Sequence, residues 1–195
     1  MLRRTALLTL AAPLLLAACA REGKPAFKAV DISGAEYGRD FPLPDTDGRM
    51  RGVKDFAGKA VGVFFGYTQC PDVCPTTMSE IAEAKKLLGP EGQRVEGVFI
   101  TIDPERDQPQ MLKAYVSNFG PDMVALRGSL PQTEQVAKDF KVFYRKAAGP
   151  TPANYTMEHS AASYVFDPSG KLRLYVRYGG GAQALADDLK LLLQA

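Results

Sequence analysis

Two cysteines separated by three residues are the first candidates for chemistry in this sequence. Cys70 and Cys74 lie in residues 66–75, which have the sequence Gly-Tyr-Thr-Gln-Cys-Pro-Asp-Val-Cys-Pro. A disulfide between them would close too small a loop to add much stability, so a purely structural pair is not expected. Thiolates attack disulfides and bind soft metals. The spacing therefore predicts a redox-active dithiol, a metal site, or both.

The residues around the cysteines predict how the two thiols are presented. Pro75 is suited to the first position of a helix, which would place Cys74 at the N-cap, where free N–H groups and the helix dipole favour the thiolate. The carboxylate of Asp72 acts in the opposite direction, because a nearby negative charge disfavours a second one. Thioredoxin-type reductases have two residues between their cysteines, whereas this chain has three. If the helix extended back to Cys70, both thiols would lie on one face.

The single histidine of the chain is the third candidate ligand. His159 precedes residues 161–166, an apolar segment predicted to be a strand. In thioredoxin-like folds the loop entering this strand lies against the cysteine loop, so we expect the imidazole to face both thiols. Two thiolates and an imidazole suit Cu(I), and Cu(II) if an oxygen donor joins them. Zinc, which prefers four ligands, is the alternative if Asp72 or Asp103 completes the site.

An alternation of strands and helices predicts the frame that positions these residues. Residues 60–67 and 95–102 are apolar runs, as expected for central strands buried on both faces. The other predicted elements are a short hairpin at 41–48, helices at 75–88, 109–119, 131–140 and after 181, strands at 124–127, 161–166 and 172–178, and a loop at 145–159. Their order predicts an α/β protein with a thioredoxin-like fold, in which helices flank a central mixed sheet that carries an inserted element.

Acidic residues follow the second central strand. Because the carboxyl ends of neighbouring parallel strands meet at one edge of a sheet, Asp103 should lie on the same side as the cysteine loop. Asp103 and Asp72 are therefore candidates to orient the metal ligands by hydrogen bonding to them, without binding the metal themselves. The alternative interpretation is that Asp103 or Asp107 caps a helix that has Pro104 or Pro109 just inside it.

The first residues have the pattern of an export signal. Arg3 and Arg4 precede an apolar run at residues 6–18. The run is too short and too interrupted for a comfortable membrane span. Such a pattern is typical of a signal peptide. The run ends in Leu-Ala-Ala-Cys, which resembles a bacterial lipobox, where cleavage precedes the cysteine and its sulfur becomes lipidated. Cys19 is therefore the predicted lipidation site, and an ordinary signal peptide with an incidental cysteine is the alternative.

These features predict three segments along the chain. A lipoprotein signal peptide occupies residues 1–18, a lipid-anchored tether residues 19–40, and a copper-binding domain residues 41–195. The predicted location is the bacterial cell envelope, in the periplasm or on the outer face of a membrane.

Composition and charge limit the classes of function. The chain has 195 residues, of which 46% are hydrophobic, enough for one buried core without disulfides. Its 24 basic and 22 acidic side chains give a net charge of +2, and removal of Arg3 and Arg4 with the signal peptide leaves 22 of each. A neutral protein has no overall field that attracts nucleic acid. No nucleic-acid partner is therefore expected.

Three segments resemble, in the same order, the motifs of the Sco/SenC family. They are residues 66–75, the sequence Thr-Ile-Asp-Pro-Glu-Arg-Asp at 101–107, and His159-Ser160. The resemblance implies a thioredoxin-like fold, bound copper, and a role in maturing the dinuclear copper A centre of cytochrome c oxidase. The implied partner is the copper-bearing subunit of that oxidase or another cuproprotein. The implied copper ligands are Cys70, Cys74 and His159.

Two other functions compete with that of a copper metallochaperone. A thiol–disulfide oxidoreductase that reduces the cysteines of an apo copper protein would use Cys70 and Cys74, but it has no evident use for His159. A peroxiredoxin-like peroxidase would need an isolated peroxidatic cysteine with a threonine and an arginine around it, and the sequence shows no such motif. The oxidoreductase is therefore the main alternative.

Overall fold

The structure is a computed structural model that describes residues 26–149 and 154–194. The predicted signal peptide and Cys19 lie outside the described residues. Within those residues the strands are β1 (Val30–Asp31), β2 (Leu43–Pro44), β3 (Met50–Arg51), β4 (Ala60–Gly66), β5 (Val95–Thr101), β6 (Met123–Leu126), β7 (Tyr144–Ala147), β8 (Thr156–His159), β9 (Ser163–Phe166) and β10 (Leu172–Val176). The α-helices are α1 (Val73–Leu87), α2 (Pro109–Ser117), α3 (Leu130–Asp139) and α4 (Ala182–Leu193).

A mixed sheet organises the described part of the chain. Its six strands have the order β1-β10-β9-β4-β5-β6, and the strands left over form the hairpins β2–β3 and β7–β8. β4, β5 and β6 run parallel, whereas β9 is antiparallel to β4 and to β10, which pairs in turn with β1. The predicted α/β class is therefore correct.

The two central strands are buried along their whole length, as their apolar runs predict. Successive side chains of β4 point to opposite faces of the sheet. Phe64 lies against Phe99 of β5, with ring centroids 6.3 Å apart, whereas Phe65 lies against Phe140 on the other face, at 5.2 Å. Burial on both faces excludes water from the middle of the sheet and makes β4 and β5 its most firmly held elements.

Helix α1 covers the face of the sheet that carries Phe64. Its buried side chains include Met78, Ile81 and Ala84, and Ile81 lies over the glycines of the two central strands. Gly66 and Thr101 are paired in the parallel register of β4 and β5, so both strands end at the same edge of the sheet. The loops that follow them therefore leave side by side, next to the start of α1.

The edge of the sheet differs from the predicted boundary between tether and domain. β1 lies within the predicted tether, yet it pairs with β10 through Val30 and Tyr175. The backbone N–H groups of Lys28 and Ala29 also donate hydrogen bonds to the buried carboxylate of Asp188, both at 2.8 Å. The folded unit therefore begins before residue 41, because backbone pairing draws in a segment with little apolar pattern.

The predicted loop at 145–159 is wrong in part, because it contains the hairpin β7–β8. Each strand has only four residues, and β8 has a single apolar one, Met157, so neither is long enough to show the alternation by which half-buried strands are recognised. The predicted hairpin at 41–48 corresponds to β2 and β3. No helix among the described residues has both the length and the apolar character needed to cross a membrane.

Candidate metal centre

The cysteine loop connects β4 to α1. The backbone N–H of Cys70 donates a hydrogen bond to the carbonyl of Tyr67 at 3.2 Å, which closes a turn just after the strand. Helix α1 then begins at Val73, with Asp72 as its N-cap. Cys74 is therefore the second residue of the helix, and the predictions that it is the N-cap and that the helix reaches Cys70 are wrong. Pro75 did not define the start, because proline fits anywhere in a first turn, where N–H groups have no partner within the helix.

The two thiols differ sharply in exposure. Cys74 is fully buried and Cys70 is half-buried, and both are free cysteines. Cys74 lies against the end of β4, where a Cβ atom on Gly66 would be 2.8 Å from its Sγ and 2.9 Å from carbon atoms of Phe64 and Phe99. Only glycine allows the helix and its thiol to approach the strand so closely.

The environment also separates the pKa values of the two thiols. A hydrogen bond from Cys74 is the main cause that lowers the pKa of Cys70, to about 3, against the opposing effect of burial. Further lowering comes from His159 and from backbone hydrogen bonds. The same hydrogen bond and then burial raise the pKa of Cys74. At neutral pH the pair therefore holds one thiolate, on the accessible sulfur, and one proton, on the buried sulfur.

His159 approaches the thiols from the end of β8. Its Nε2 lies 3.5 Å from the Sγ of Cys74, and its Nδ1 lies 2.8 Å from the carbonyl oxygen of Ser160. A carbonyl oxygen only accepts, so Nδ1 donates to it, and Nε2 is the nitrogen that faces the sulfurs. Nε2 can donate to a thiolate when it carries a proton and can bind a metal when it does not. The rings of Phe64 and Tyr67 meet the imidazole edge to face, with centroids 5.9 and 6.0 Å away. The ring is thus held in the orientation that a metal ligand needs.

These three side chains form one group of potential ligands among the described residues. The two Sγ atoms and one imidazole nitrogen all lie within 4.8 Å of one another. With metal–sulfur bonds of about 2.3 Å and metal–nitrogen bonds of about 2.0 Å, three ligands around one ion are roughly 3.7 to 4.0 Å apart. The group therefore fits a single metal ion after small shifts.

Asp107 anchors the cysteine loop to the end of β5. Its carboxylate is fully buried and accepts hydrogen bonds from the hydroxyls of Thr68 and Thr101, at 2.5 and 2.6 Å, and from the backbone N–H of Thr68, at 3.1 Å to the nearer oxygen. Burial raises the pKa of Asp107, although these hydrogen bonds lower it in part. Thr68 precedes Cys70 by two residues, so Asp107 fixes the first half of the loop.

Asp103 is buried beside the site but does not contact the ligands in the way the sequence predicts. One carboxylate oxygen accepts a hydrogen bond from the hydroxyl of Tyr155 at 2.7 Å, and the other accepts one from Nε of Arg106 at 2.5 Å. The carbonyl of Ser160, rather than Asp103, orients the ring of His159. The helix-cap alternative is also wrong for Asp103 and Asp107, because Gln108 is the N-cap of α2 and both carboxylates bond elsewhere.

Asp72 lies on the solvent side of the loop. Among the described residues its carboxylate accepts one long hydrogen bond, 3.5 Å, from the hydroxyl of Thr76. Its effect on the thiols comes from its backbone N–H, which bonds to Cys70 and lowers the pKa of that thiol. Neither Asp72 nor Asp103 belongs to the group of potential ligands.

Arg106 and Ser160 have roles that the sequence did not predict. Arg106 contacts both the cysteine loop and the segment before β8, and Ser160 acts through its backbone carbonyl. Both residues lie inside the segments that resemble family motifs, so the sequence marks their positions. It does not reveal their roles, because a backbone carbonyl that accepts a hydrogen bond leaves no side-chain pattern, and a contact between residues 49 apart leaves no periodicity.

The sequence matches a known protein family. The family model described as SCO1/SenC matches residues 30–194. The "SCO2-like protein" of Rickettsia felis is 35% identical over 170 residues, which cover 86% of this chain and 83% of the relative.

Solved structures share the fold. Bradyrhizobium japonicum ScoI, solved with copper bound, is 35% identical and superposes with a TM-score of 0.71, over 78% of this chain and 97% of its own. A SCO1/SenC family lipoprotein from Bacillus anthracis is 28% identical, with a TM-score of 0.66 over 78% of this chain and 92% of its own. The thioredoxin-like fold predicted from the sequence is thereby confirmed.

Proposed function

Because the chain belongs to the SCO1/SenC family, we propose that it is a copper metallochaperone that holds one copper ion on Cys70, Cys74 and His159 and passes it to another copper protein. The observation that carries the proposal is the convergence of the three ligand atoms within 4.8 Å, although the histidine is 85 residues from the nearer cysteine. A dithiol alone would not require an imidazole whose free nitrogen faces the sulfurs.

The chemistry of the ligands favours copper over zinc. Structural zinc sites have four ligands, and here the nearby carboxylates are occupied or turned away. Asp103 is engaged by Arg106 and Tyr155, and the carboxylate of Asp72 is on the solvent side. Three soft or borderline ligands suit Cu(I), and a water molecule could complete a Cu(II) site. The relative from Bradyrhizobium japonicum has copper bound.

The unequal thiols suit both capture and release of copper. When a metal binds, the thiolate of Cys70 is already available and only the proton of Cys74 must leave. Cys70 is also the more accessible sulfur, so a thiolate of a partner can reach the metal from that side. Stepwise exchange of ligands would then transfer copper without release of the free ion.

The proposed recipient is the copper-bearing subunit of cytochrome c oxidase, where copper would complete the dinuclear copper A centre. Another cuproprotein in the same compartment is the other candidate. The support is the family resemblance of the motifs at 66–75 and 101–107.

A second function has a specific observation in its favour, namely the separated pKa values of the thiols. An accessible thiolate beside a buried thiol is the arrangement of dithiol reductases. The thiolate of Cys70 would attack a partner disulfide to give a mixed disulfide and release one partner thiolate. Cys74, after losing its proton, would then displace the second, leaving the partner reduced and this chain oxidised.

The ligand set is tested by metal binding to the purified domain. We expect one copper per chain, with an intense sulfur-to-copper charge-transfer band in the Cu(II) form. Cys70→Ser and Cys74→Ser should each abolish that band. Preferential recovery of zinc after purification without added metal would contradict the assignment.

The choice between chaperone and reductase is tested by His159→Ala, with Cys70→Ser as its matched comparison. His159→Ala retains both thiols, so disulfide exchange should survive while Cu(II) loses affinity and its spectrum changes. For a chaperone, both variants should abolish oxidase activity in cells, with partial rescue of His159→Ala by added copper. Normal oxidase activity in His159→Ala at normal protein levels would support the reductase and overturn copper delivery.

We also infer that the protein acts from a membrane surface of the cell envelope. The inference rests on the lipobox-like sequence before Cys19, and a lipoprotein among the relatives of similar fold supports it. Residues 1–18 would be removed, and the lipidated cysteine would begin a tether to the folded domain. Cys19→Ala should shift the protein from the membrane fraction to soluble or unprocessed forms. An unmodified Cys19 in the mass spectrum of the mature protein would contradict this.

A further inference from the structure

The ligands of the metal centre come from two separate parts of the fold. The thiols lie on the loop and helix after β4, whereas the imidazole lies at the end of β8, in a hairpin outside the main sheet. The distance between Sγ of Cys74 and Nε2 of His159 therefore depends on what holds the hairpin against the cysteine loop.

Arg106 makes that connection through one guanidinium nitrogen. Its Nη1 donates to the side-chain oxygen of Gln69 at 3.1 Å and to the backbone carbonyl of Tyr155 at 2.8 Å. Gln69 directly precedes Cys70, and Tyr155 directly precedes β8. The guanidinium carbon also lies 3.6 Å from the centroid of the Tyr155 ring, within the range of cation–π attraction.

The loop that carries Arg106 is itself firmly anchored. Asp103, buried and 1% exposed, holds Nε of Arg106 and the hydroxyl of Tyr155. The hydroxyl of Thr101 accepts a hydrogen bond from the backbone N–H of Asp103 and donates one to Asp107. The guanidinium is therefore fixed relative to β5. Because the group is planar and rigid, holding Nε at Asp103 also fixes the directions in which its other nitrogens donate.

From these contacts we infer that Arg106 is a positioning residue of the metal centre, which aligns the hairpin bearing His159 with the loop bearing Cys70. The inference rests on the proposed function for its copper readouts. It adds that a side chain that bonds neither thiol nor the imidazole helps to align them, beside the ring contacts of Phe64 and Tyr67 with His159. Loss of that side chain should weaken properties that need all three ligands and spare those that need the thiols alone.

Arg106→Lys and Arg106→Gln test the role of the guanidinium fork. Lysine keeps the charge but cannot bond Gln69, Tyr155 and Asp103 at once. We expect both variants to lower Cu(II) affinity by about tenfold to a hundredfold, the usual effect of losing a residue that orients a ligand. The charge-transfer band should shift, and the rate of disulfide formation between the thiols should stay within about twofold of wild type.

Arg127→Lys is the matched control. Arg127 also binds the same loop, through Nε and Nη2 to the carbonyl of Pro104 at 3.2 and 2.7 Å, but it reaches neither ligand segment. We expect its copper spectrum and affinity to match wild type. An equal loss of copper in Arg127→Lys and Arg106→Lys would show that general stability of the loop matters, and would overturn the inference.

A metal-free measurement separates this inference from the proposed function. In metal-free Arg106→Lys the backbone amide hydrogens of β8 should exchange with solvent faster than in Arg127→Lys. The amide hydrogens of β4 and β5 should exchange equally slowly in both variants. Wild-type exchange in β8, or a defect in Arg106→Gln that Arg106→Lys does not share, would overturn the inference. If both Arg106 variants fail to fold, Gln69→Ala removes the contact to the cysteine loop alone, and a wild-type copper spectrum in Gln69→Ala would then overturn it.

Discussion

The two halves of the metal centre are built on elements of very different firmness. The thiols follow β4, which has a neighbour on each side and is buried at all seven positions. The imidazole ends β8, which pairs with β7 outside the main sheet and has one buried residue in four. One half is therefore part of the core, and the other is attached to its surface.

This difference indicates how the centre divides its tasks. In the proposed function, capture of copper needs a thiol pair that keeps its geometry as the metal binds and leaves, and the core provides it. A ligand on a peripheral hairpin can move while the sheet stays intact, so the histidine is better suited than the thiols to join or leave. Substitutions that disturb the thiol half should therefore lower stability and copper binding together, and those that misplace only the imidazole should lower copper binding with little change in stability.

Asp107→Ala should have the largest effect on the thiol half. It removes a buried acceptor and leaves the donors of Thr68 and Thr101 unpaired, which should lower the free energy of unfolding by about 3 kcal/mol. Copper binding should weaken with it, because the loop before Cys70 loses its anchor. Denaturant unfolding and copper titration check both effects.

Asp107→Asn is a milder substitution that tests how the stability contribution of Asp107 depends on pH. The folded pKa of Asp107 is raised, mainly by burial, so its contribution to stability is present below the unfolded pKa and is lost as pH rises through the folded value. The stability of wild type relative to Asp107→Asn should therefore fall as pH rises from about 3.5 toward neutrality. A relative stability that rises over that range would contradict the raised pKa.

Gly66→Ala should have the next largest effect. The added Cβ would lie 2.8 Å from Sγ of Cys74 and 2.9 Å from the rings of Phe64 and Phe99. Overpacking of this kind costs about 2 kcal/mol and should displace the thiol, so stability and copper affinity should fall together. Gly62→Ala is the control, because its Cβ would meet Ile81 at an ordinary 3.6 Å. Equal effects of the two substitutions would contradict this account.

The thiol half was also the more predictable half from the sequence. Buried parallel strands leave long apolar runs, so β4 and β5 were located within one residue of their ends. The cysteine spacing and the lone histidine identified all three potential ligands. The start of α1 was misplaced, because proline at the third helical position gives the same pattern as proline at the first.

The histidine half was less predictable for physical reasons. β7 and β8 have the sequences Tyr-Arg-Lys-Ala and Thr-Met-Glu-His, in which Met157 is the single buried residue, so four-residue strands of this kind show too little apolar alternation to be recognised. Asp103 was correctly placed at the site edge, but its partners are Arg106 and Tyr155, and such pairing across distant segments leaves no periodic signal. A prediction of buried ion pairs needs the fold first.

A third prediction sharpens the contrast between the two thiols themselves. With its pKa near 3, Cys70 is fully ionised above about pH 5, so its alkylation rate should stay within about twofold between pH 5 and pH 8. An ordinary thiol would accelerate several hundredfold, on the order set by a pKa of about 8.5. Mass spectrometry of iodoacetamide adducts, timed in metal-free protein, separates Cys70 from Cys74.

Cys74→Ala is the control for that measurement. The hydrogen bond from Cys74 is the main cause of the lowered pKa, so its loss should restore a steep rise of alkylation with pH. If the alkylation rate of Cys74→Ala did not change with pH, the lowered pKa of Cys70 would be caused by His159 or by backbone groups at the start of the helix. If the rate in wild type rose steeply with pH, the two thiols would not differ in pKa as described.

The smallest effect is expected at the surface of the histidine half. Arg145 and Glu158 form an ion pair across β7 and β8, 2.7 Å between Nε and Oε2, with side chains 65% and 49% exposed. Solvent and salt screen such pairs, so Arg145→Ala and Glu158→Ala should leave thermal unfolding and copper affinity unchanged within error.

The same ion pair is a stringent control for Arg106, because Glu158 directly precedes His159. If Glu158→Ala weakened Cu(II) binding as much as Arg106→Lys does, then any contact of the hairpin would align the imidazole, and the guanidinium of Arg106 would have no special role. If substitution of the surface pair has no effect and substitution of Arg106 does, alignment of the two halves depends on the guanidinium contacts to Gln69 and Tyr155.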